Sequence, residues 1–200
     1  ADFLGISETQ MLLDRLEQIA PATVRQVTPK PIGLGLLSDI LRRLVEERIS
    51  IRDLKGILEA LAQVGNADKD PLNLTEYVRS QLRRAITYQL TEGRPLLRVV
   101  LLSHDIEETV RSAISRTAAG SFLTLNPAAG RDVAAAIGRA LASAGGATRT
   151  EKLVVLTQSD VRRFVKKLIE TDAPDVDVIA YTELMPELRL ETAATASIRG

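Results

Sequence analysis

Apolar residues return every three or four positions through the first half of the chain and gather into unbroken blocks in the second. That change of rhythm predicts two architectures in one chain. Leu12, Leu13, Leu16, Ile19 and Ala20 form a helical stripe behind a capping box of Ser7 and Gln10. Pro21 and the Pro29-Lys30-Pro31 run leave room for only a short helix over Ala22 to Val27. A third helix points Leu34, Leu37, Ile40, Leu41, Leu44 and Val45 inward, and its outer face sets Arg42 against Glu46 and Arg43 against Glu47 at i, i+4. A fourth carries Ile51, Leu54, Ile57, Leu58 and Leu61 and stops at Gly65. After a polar loop from Gly65 to Asp70, Asn73 and Glu76 cap a fifth helix with Leu74, Val78, Leu82 and Ile86 as its buried row, ended by Gly93. Five helices with short loops predict a helical bundle over residues 1–93.

Gly93-Arg94-Pro95 is the predicted boundary, and residues 94–200 read as a small α/β domain. Leu96 to Leu102 is a continuous apolar run suited to a strand buried on both faces. Ser103 then caps a helix to about Ser115, Phe122 to Leu125 is a short strand, and Asn126-Pro127 turns into a small-residue helix over Asp132 to Ala144. A loop from Gly145-Gly146 to Thr150, a strand at Leu153 to Thr157, a helix capped by Ser159 running to Glu170, and a strand at Val176 to Tyr181 follow. The residues from Glu191 onward carry a weak pattern that suits fraying or an edge strand. Strand and helix alternate, so the sheet is expected to be mostly parallel. The fold class is therefore an α bundle followed by α/β.

The joint between the third and fourth helices is the most densely specified stretch. Ser50 is the predicted N-cap, Asp53 stands three residues on, and Ile49 and Leu54 bracket the cap as a hydrophobic staple. Glu46, Glu47, Arg48, Arg52 and Asp53 crowd both charge signs around it.

Charge changes the picture by its balance. Lys and Arg number 26 and Asp and Glu number 26, so the chain has no bulk attraction to nucleic acid or anionic lipid. Aromatics make up 3% with no Trp, which argues against a base-stacking surface. There is no Cys, hence no disulfide framework and no thiolate metal site, and the single His speaks against a histidine-based one. No apolar run reaches the ~18 residues of a membrane span.

Chemical motifs dissolve on inspection. Ser103, His104 and Asp105 are the letters of a hydrolytic triad, but adjacency is the wrong geometry, and a cap followed by a first helical turn explains them. Asp68, Asp70, Asn73 and Glu76 suggest a calcium loop without its central Gly or its spacing. Gly33-Leu34-Gly35 lacks a preceding strand and a third Gly, and no Walker lysine motif occurs, so neither cofactor nor nucleotide is expected. Arg42, Arg43, Arg48, Arg52, Arg79, Arg83 and Arg84 form a basic group expected to be mixed, some pairing internally with Glu46, Glu47, Asp53 and Glu76 and some meeting an identical neighbour. From the residues alone the chain is a non-enzymatic bundle plus α/β domain.

A resemblance takes the reading further. ISIRDLKGILEAL from Ile49 to Leu61, LTEYVRSQLRRAI from Leu74 to Ile86 and FLGISETQMLLDRLE from Phe3 to Glu17 are similar, in that order, to the type III protein-export gate family, FHIPEP. These are large inner-membrane proteins shared by flagellar and injectisome (virulence) secretion systems. The resemblance implies that the helical domain corresponds to the third cytosolic subdomain and the α/β domain to the fourth. It implies a ring, nonameric in well-described members, at the cytoplasmic face of the inner membrane. Such a ring receives export chaperones, secreted substrates, gatekeepers and other export-apparatus proteins. Contact with the membrane would come only through transmembrane helices absent from this chain, which reads as a fragment of the cytosolic region. The chaperone-docking cleft of the family involves subdomains missing here, so no docking residue is carried over. YVRSQLRR and SIRDLKGILEAL lean toward the injectisome branch. Glu46, Glu47, Arg48, Arg52 and Asp53 are the candidate subunit interface. The alternative is a stand-alone cytoplasmic scaffold or adaptor, and transmembrane helices upstream in the parent reading frame would discriminate the two.

Overall fold

A computed structural model describes residues 4–145 and 152–199. Contacts divide the chain into two compact units, Ala1–Ile86 and Thr87–Gly200.

The first unit is helical: α1 (Ile6–Ile19), α2 (Pro21–Val27), α3 (Leu34–Glu46), α4 (Leu54–Val64), α5 (Pro71–Gln81) and the start of α6 (Arg83–Thr91). α2 packs on α1 and α4, and α5 packs on α3 and α4. The apolar stripes explain this: Leu13, Leu16, Val24, Val27, Leu37, Ile40, Leu41, Leu44, Ile57, Leu58, Leu61, Leu74 and Val78 are all buried. Ile19 departs from the expected stripe. It closes the last turn of α1 and is 82% exposed.

Helix boundaries differ from the sequence reading at several points here. α1 begins at Ile6 rather than behind Ser7, because the Glu8 carboxylate accepts from the Gly5 N–H at 2.9 Å. α5 begins behind Asp70, whose side chain accepts from the Leu72 N–H at 2.9 Å, with Pro71 in the first turn where a missing N–H costs nothing. Asn73 and Glu76 are therefore inside the helix, not at its cap. The expected fifth helix is also two, α5 and α6, since the Leu82 N–H turns back to Val78 and Arg79 carbonyls. The row Leu74, Val78, Leu82, Ile86 stays buried across that break.

The second unit carries β1 (Leu96–Leu102), α7 (His104–Ser112), β2 (Ile114–Thr117), β3 (Gly120–Leu123), α8 (Pro127–Ala144), β4 (Leu153–Thr157), α9 (Arg162–Ile169), β5 (Val178–Ala180), a 3₁₀ turn (Tyr181–Glu183) and β6 (Arg189–Ala196). The main sheet runs β5-β4-β1-β6, and each neighbouring pair is parallel. β1 lies inside it, which accounts for its apolar run; the run is not continuous as expected but is interrupted by the buried Arg98. The weakly patterned C-terminal stretch is the edge strand β6, paired with β1 through an irregularity at Val99/Val100.

Phe122 to Leu125 was expected to join this sheet. The strand is instead β3, and it pairs antiparallel with β2 as a separate hairpin. Asn126 caps α8 from Pro127, five residues before the expected start. α9 starts behind Val161 and not Ser159, and α7 ends at Ser112 rather than Ser115. The loop expected from Gly146 to Thr150 lies outside the described residues. Val100, Ile106, Val110, Val133, Ile137, Val155, Val165 and Val178 build the core from helices and sheet together.

Candidate functional site

The site begins with the way α3 ends. Its last carbonyls are closed by the Arg48 N–H on the Val45 carbonyl and the Ile49 N–H on the Leu44 carbonyl, both at 2.8 Å. This is a Schellman closure, and it puts Arg48 in the left-handed region at φ 61°. Ile49 and Leu44 are both buried, the apolar contact that accompanies such a closure.

The next helix is not capped as the sequence suggested. Asp53 is the N-cap of α4, its Oδ1 accepting from the Gly56 N–H at 3.0 Å. Ser50 lies three residues earlier, where its hydroxyl accepts from the Arg52 N–H at 3.3 Å in a tight turn. The joint is thus longer than a direct cap at Ser50 would allow. The bracket of Ile49 and Leu54 survives as two buried residues.

The five candidate residues divide by what the fold asks of them. Glu47 Oε2 stands 2.9 Å from Arg79 Nη1, and Arg79 is 1% exposed. Asp53 spends its carboxylate on the cap. Arg48 is exposed on its left-handed backbone. Glu46 and Arg52 are exposed and make no ion pair among the described residues. The sequence-level pairs of Arg42 and Arg43 with Glu46 and Glu47 are replaced: both arginines reach back to Asp39, at 3.3 and 3.0 Å. Asp39 wins because it faces the same side one turn earlier, leaving Glu47 to Arg79.

Arg79 makes one of the internal pairs the sequence allowed, with Glu47, but it is buried inside the unit and not on a surface patch, four residues after the buried Thr75 on α5. That spacing was the available signal. Arg83 and Arg84 are exposed, so the basic group is split between core and surface.

Other motifs resolve into local structure. Ser103 Oγ accepts from the Ile106 N–H at 3.3 Å, with His104 in the first turn of α7. Asp68 accepts from the Asp70 N–H at 2.8 Å and from Asn73 Nδ2 at 3.0 Å, so its carboxylate is engaged by the chain. Among the described residues no group of three or more His, Cys, Asp or Glu is placed to hold a metal ion.

In the second unit, Arg111 Nε meets Asp160 Oδ2 at 2.5 Å and its Nη1 meets Glu108 Oε2 at 2.8 Å. The hydrogen bonds from Arg111 hold the Asp160 carboxyl below its usual range. Deeper in, Arg162 and Glu183 are each 1% exposed and 3.8 Å apart. Arg162 Nη1 donates to the Val178 carbonyl and Glu183 accepts from the Ala180 N–H, so this ion pair anchors the end of β5.

The joint after α3 therefore sets exposed charges of both signs beside a buried, paired arginine. Comparison with known proteins places the chain in a family. The FHIPEP family model matches residues 1–189. The low calcium response locus protein D of Yersinia pestis is 36% identical over 191 residues, 95% of this chain and 27% of that protein. The Chlamydia pneumoniae CdsV structure superposes with TM-score 0.89 at 40% identity, over 98% of this chain and 55% of that one. CdsV has also been solved in complex with CdsO. A nonameric SctV-C structure from EPEC gives TM-score 0.86 at 35% identity, over 98% and 58%. The chain belongs to the FHIPEP family, the export-gate proteins of type III secretion and flagellar systems. It spans about a quarter of the length of the curated relatives it matches.

Proposed function

We propose that this chain is part of the cytosolic ring of an injectisome export gate, at the cytoplasmic face of the bacterial inner membrane. In this reading it receives chaperone–substrate and gatekeeper complexes and acts through contacts, not bond chemistry. Residues 1–93 play the part of the third cytosolic subdomain and residues 94–200 that of the fourth. The observation that carries the reading is the likeness to a nonameric assembly over nearly all of the chain. The complex of CdsV with CdsO supports export-apparatus proteins as further partners.

The joint after α3 supplies part of the subunit contact. A closed ring joins one patch to a different patch on the next subunit, and opposite charges set the register of such a contact. Glu46 and Arg52 suit this because both are exposed and neither makes an ion pair among the described residues. Arg48 flanks them, while Glu47 and Asp53 hold the joint in shape.

The test is Arg52→Glu in the full cytosolic region. Reversal should weaken ring assembly by light scattering and lower secretion in cells, with an unchanged circular dichroism spectrum. Normal rings with normal secretion would assign these charges to solvent and remove the joint from the interface.

A further inference from the structure

We propose that the second unit binds a single small oxyanion in a pocket at the N-terminal edge of its sheet. The pocket encloses about 130 Å³ where α6 runs into β1. Arg94, Arg98 and Lys152 line it, together with Thr91 and an apolar wall that includes Leu96 and Leu97. Among the described residues that line it, none is acidic. Three cations therefore line a hollow whose other described walls are neutral, a setting in which a charge-assisted hydrogen bond is stronger than in water.

Arg98 is the centre of the argument. It stands on β1 and is 5% exposed. Its Nε lies 3.3 Å from Glu191 Oε1 and its Nη2 donates to the Ala144 carbonyl at 3.1 Å. Nη1 makes no hydrogen bond among the described residues, and Arg98 is one of the residues that line the hollow. A buried guanidinium with an unused donor calls for an acceptor.

The two rim cations are also only partly engaged. Lys152 Nζ makes one ion pair, to Asp177 at 2.7 Å, and an ammonium has three donors. Arg94 gives its Nε to the Thr91 carbonyl at 3.0 Å and meets Glu92 only at 3.8 Å. The balancing carboxylates Glu92, Asp177 and Glu191 all stand outside the lining.

Size sets what the hollow can enclose. At ~30 Å³ per water it holds roughly four waters, the room of one phosphate, sulfate or carboxylate group. A whole nucleotide would not be enclosed, since pockets for ligands of that size start near ~300 Å³.

Amide proton–nitrogen NMR of the whole chain tests this, with inorganic phosphate and acetate as probes and sodium chloride at matched ionic strength as control. Saturable shifts at Leu97, Arg98 and Lys152 are expected with an oxyanion and not with chloride. The double variant Arg94→Gln/Lys152→Gln should bind at least tenfold more weakly. Arg98→Met, where circular dichroism shows it folded, should abolish saturation; the rim variant decides the matter independently. A preference for phosphate identifies a free tetrahedral anion as the source, and a preference for acetate identifies a carboxylate. Equal shifts in chloride, or saturation undiminished in the rim variant, would overturn the proposal.

Discussion

Arg48 carries a long side chain at φ 61°, a backbone position where glycine is the usual occupant. The left-handed region costs an L-residue roughly 1–2 kcal/mol, and glycine recovers this less its own unfolded-state entropy. Arg48→Gly should therefore stabilise the first unit by about 0.5–1 kcal/mol in urea melts. If Arg48 serves the ring contact, the same variant should assemble less well, so stability and assembly would move in opposite directions. A drop in stability would mean that the side chain's own contacts outweigh the backbone strain. Asp53 makes the complementary case. As the N-cap of α4 it should cost ~1 kcal/mol on replacement by Ala, whereas Ser50→Ala, which loses only a turn bond, should cost a few tenths. Equal losses would place the helix start at Ser50. The sequence pointed to Ser50 as the cap with Asp53 as its partner three residues on, because the apolar stripe already includes Ile51. The choice was made by the Schellman closure, which extends the joint and delays the first helical turn.

At the scale of elements, one ion pair ties α5 to the end of α3. Arg79 is almost wholly buried and Glu47 keeps some contact with water, so breaking the pair should cost less than the ~3–5 kcal/mol of a sealed one. Arg79→Ala is expected to lose about 2–3 kcal/mol, and Arg79→Met less, because the thioether restores part of the packing. A near-zero loss for the alanine variant would show that solvent replaces the pair. In the second unit the Arg111–Asp160 bond links α7 to the turn before α9. Asp160 is held below its usual carboxyl range, so its contribution is present above the unfolded value of about 3.9 and disappears as pH falls through the lower folded value. The stability gap between the parent chain and Asp160→Asn should hold at pH 6 and close in acid; a gap independent of pH would assign it to packing. Periodicity gave the α3 and β4 spans and the end of α4 well because each carries a strong apolar rhythm, but it began α4 three residues early. It missed the break at Leu82 because the buried row continues across it unchanged. It missed the β2–β3 hairpin because Ile114–Thr117 is short and polar, with little alternation to read.

For the whole molecule, the order of helices, then strands and helices, was legible because a helical period runs through the first half and apolar strand blocks alternate with helical stretches in the second. The parallel sheet followed from β1, whose apolar residues serve both faces. What could not be read was the assignment of charge. Seven arginines and their possible acidic partners look alike along a sequence, and only tertiary distance shows that Arg79 faces inward and that Asp39 takes Arg42 and Arg43. The residue left at the joint is a small, exposed, mixed-charge surface, and its physics sets the last prediction. Contacts between exposed charges weaken with salt, because the screening length falls from ~10 Å at 0.1 M to ~3 Å at 1 M. An apolar subunit contact would strengthen or stay level over that range. Ring assembly of the full cytosolic region should therefore decline as sodium chloride rises from low to high concentration, measured by light scattering at fixed protein concentration. Arg52→Glu should flatten that dependence as well as lower the starting level, since one of the screened attractions is already gone. A ring that holds equally at low and high salt would place its stability in apolar area, away from Glu46 and Arg52.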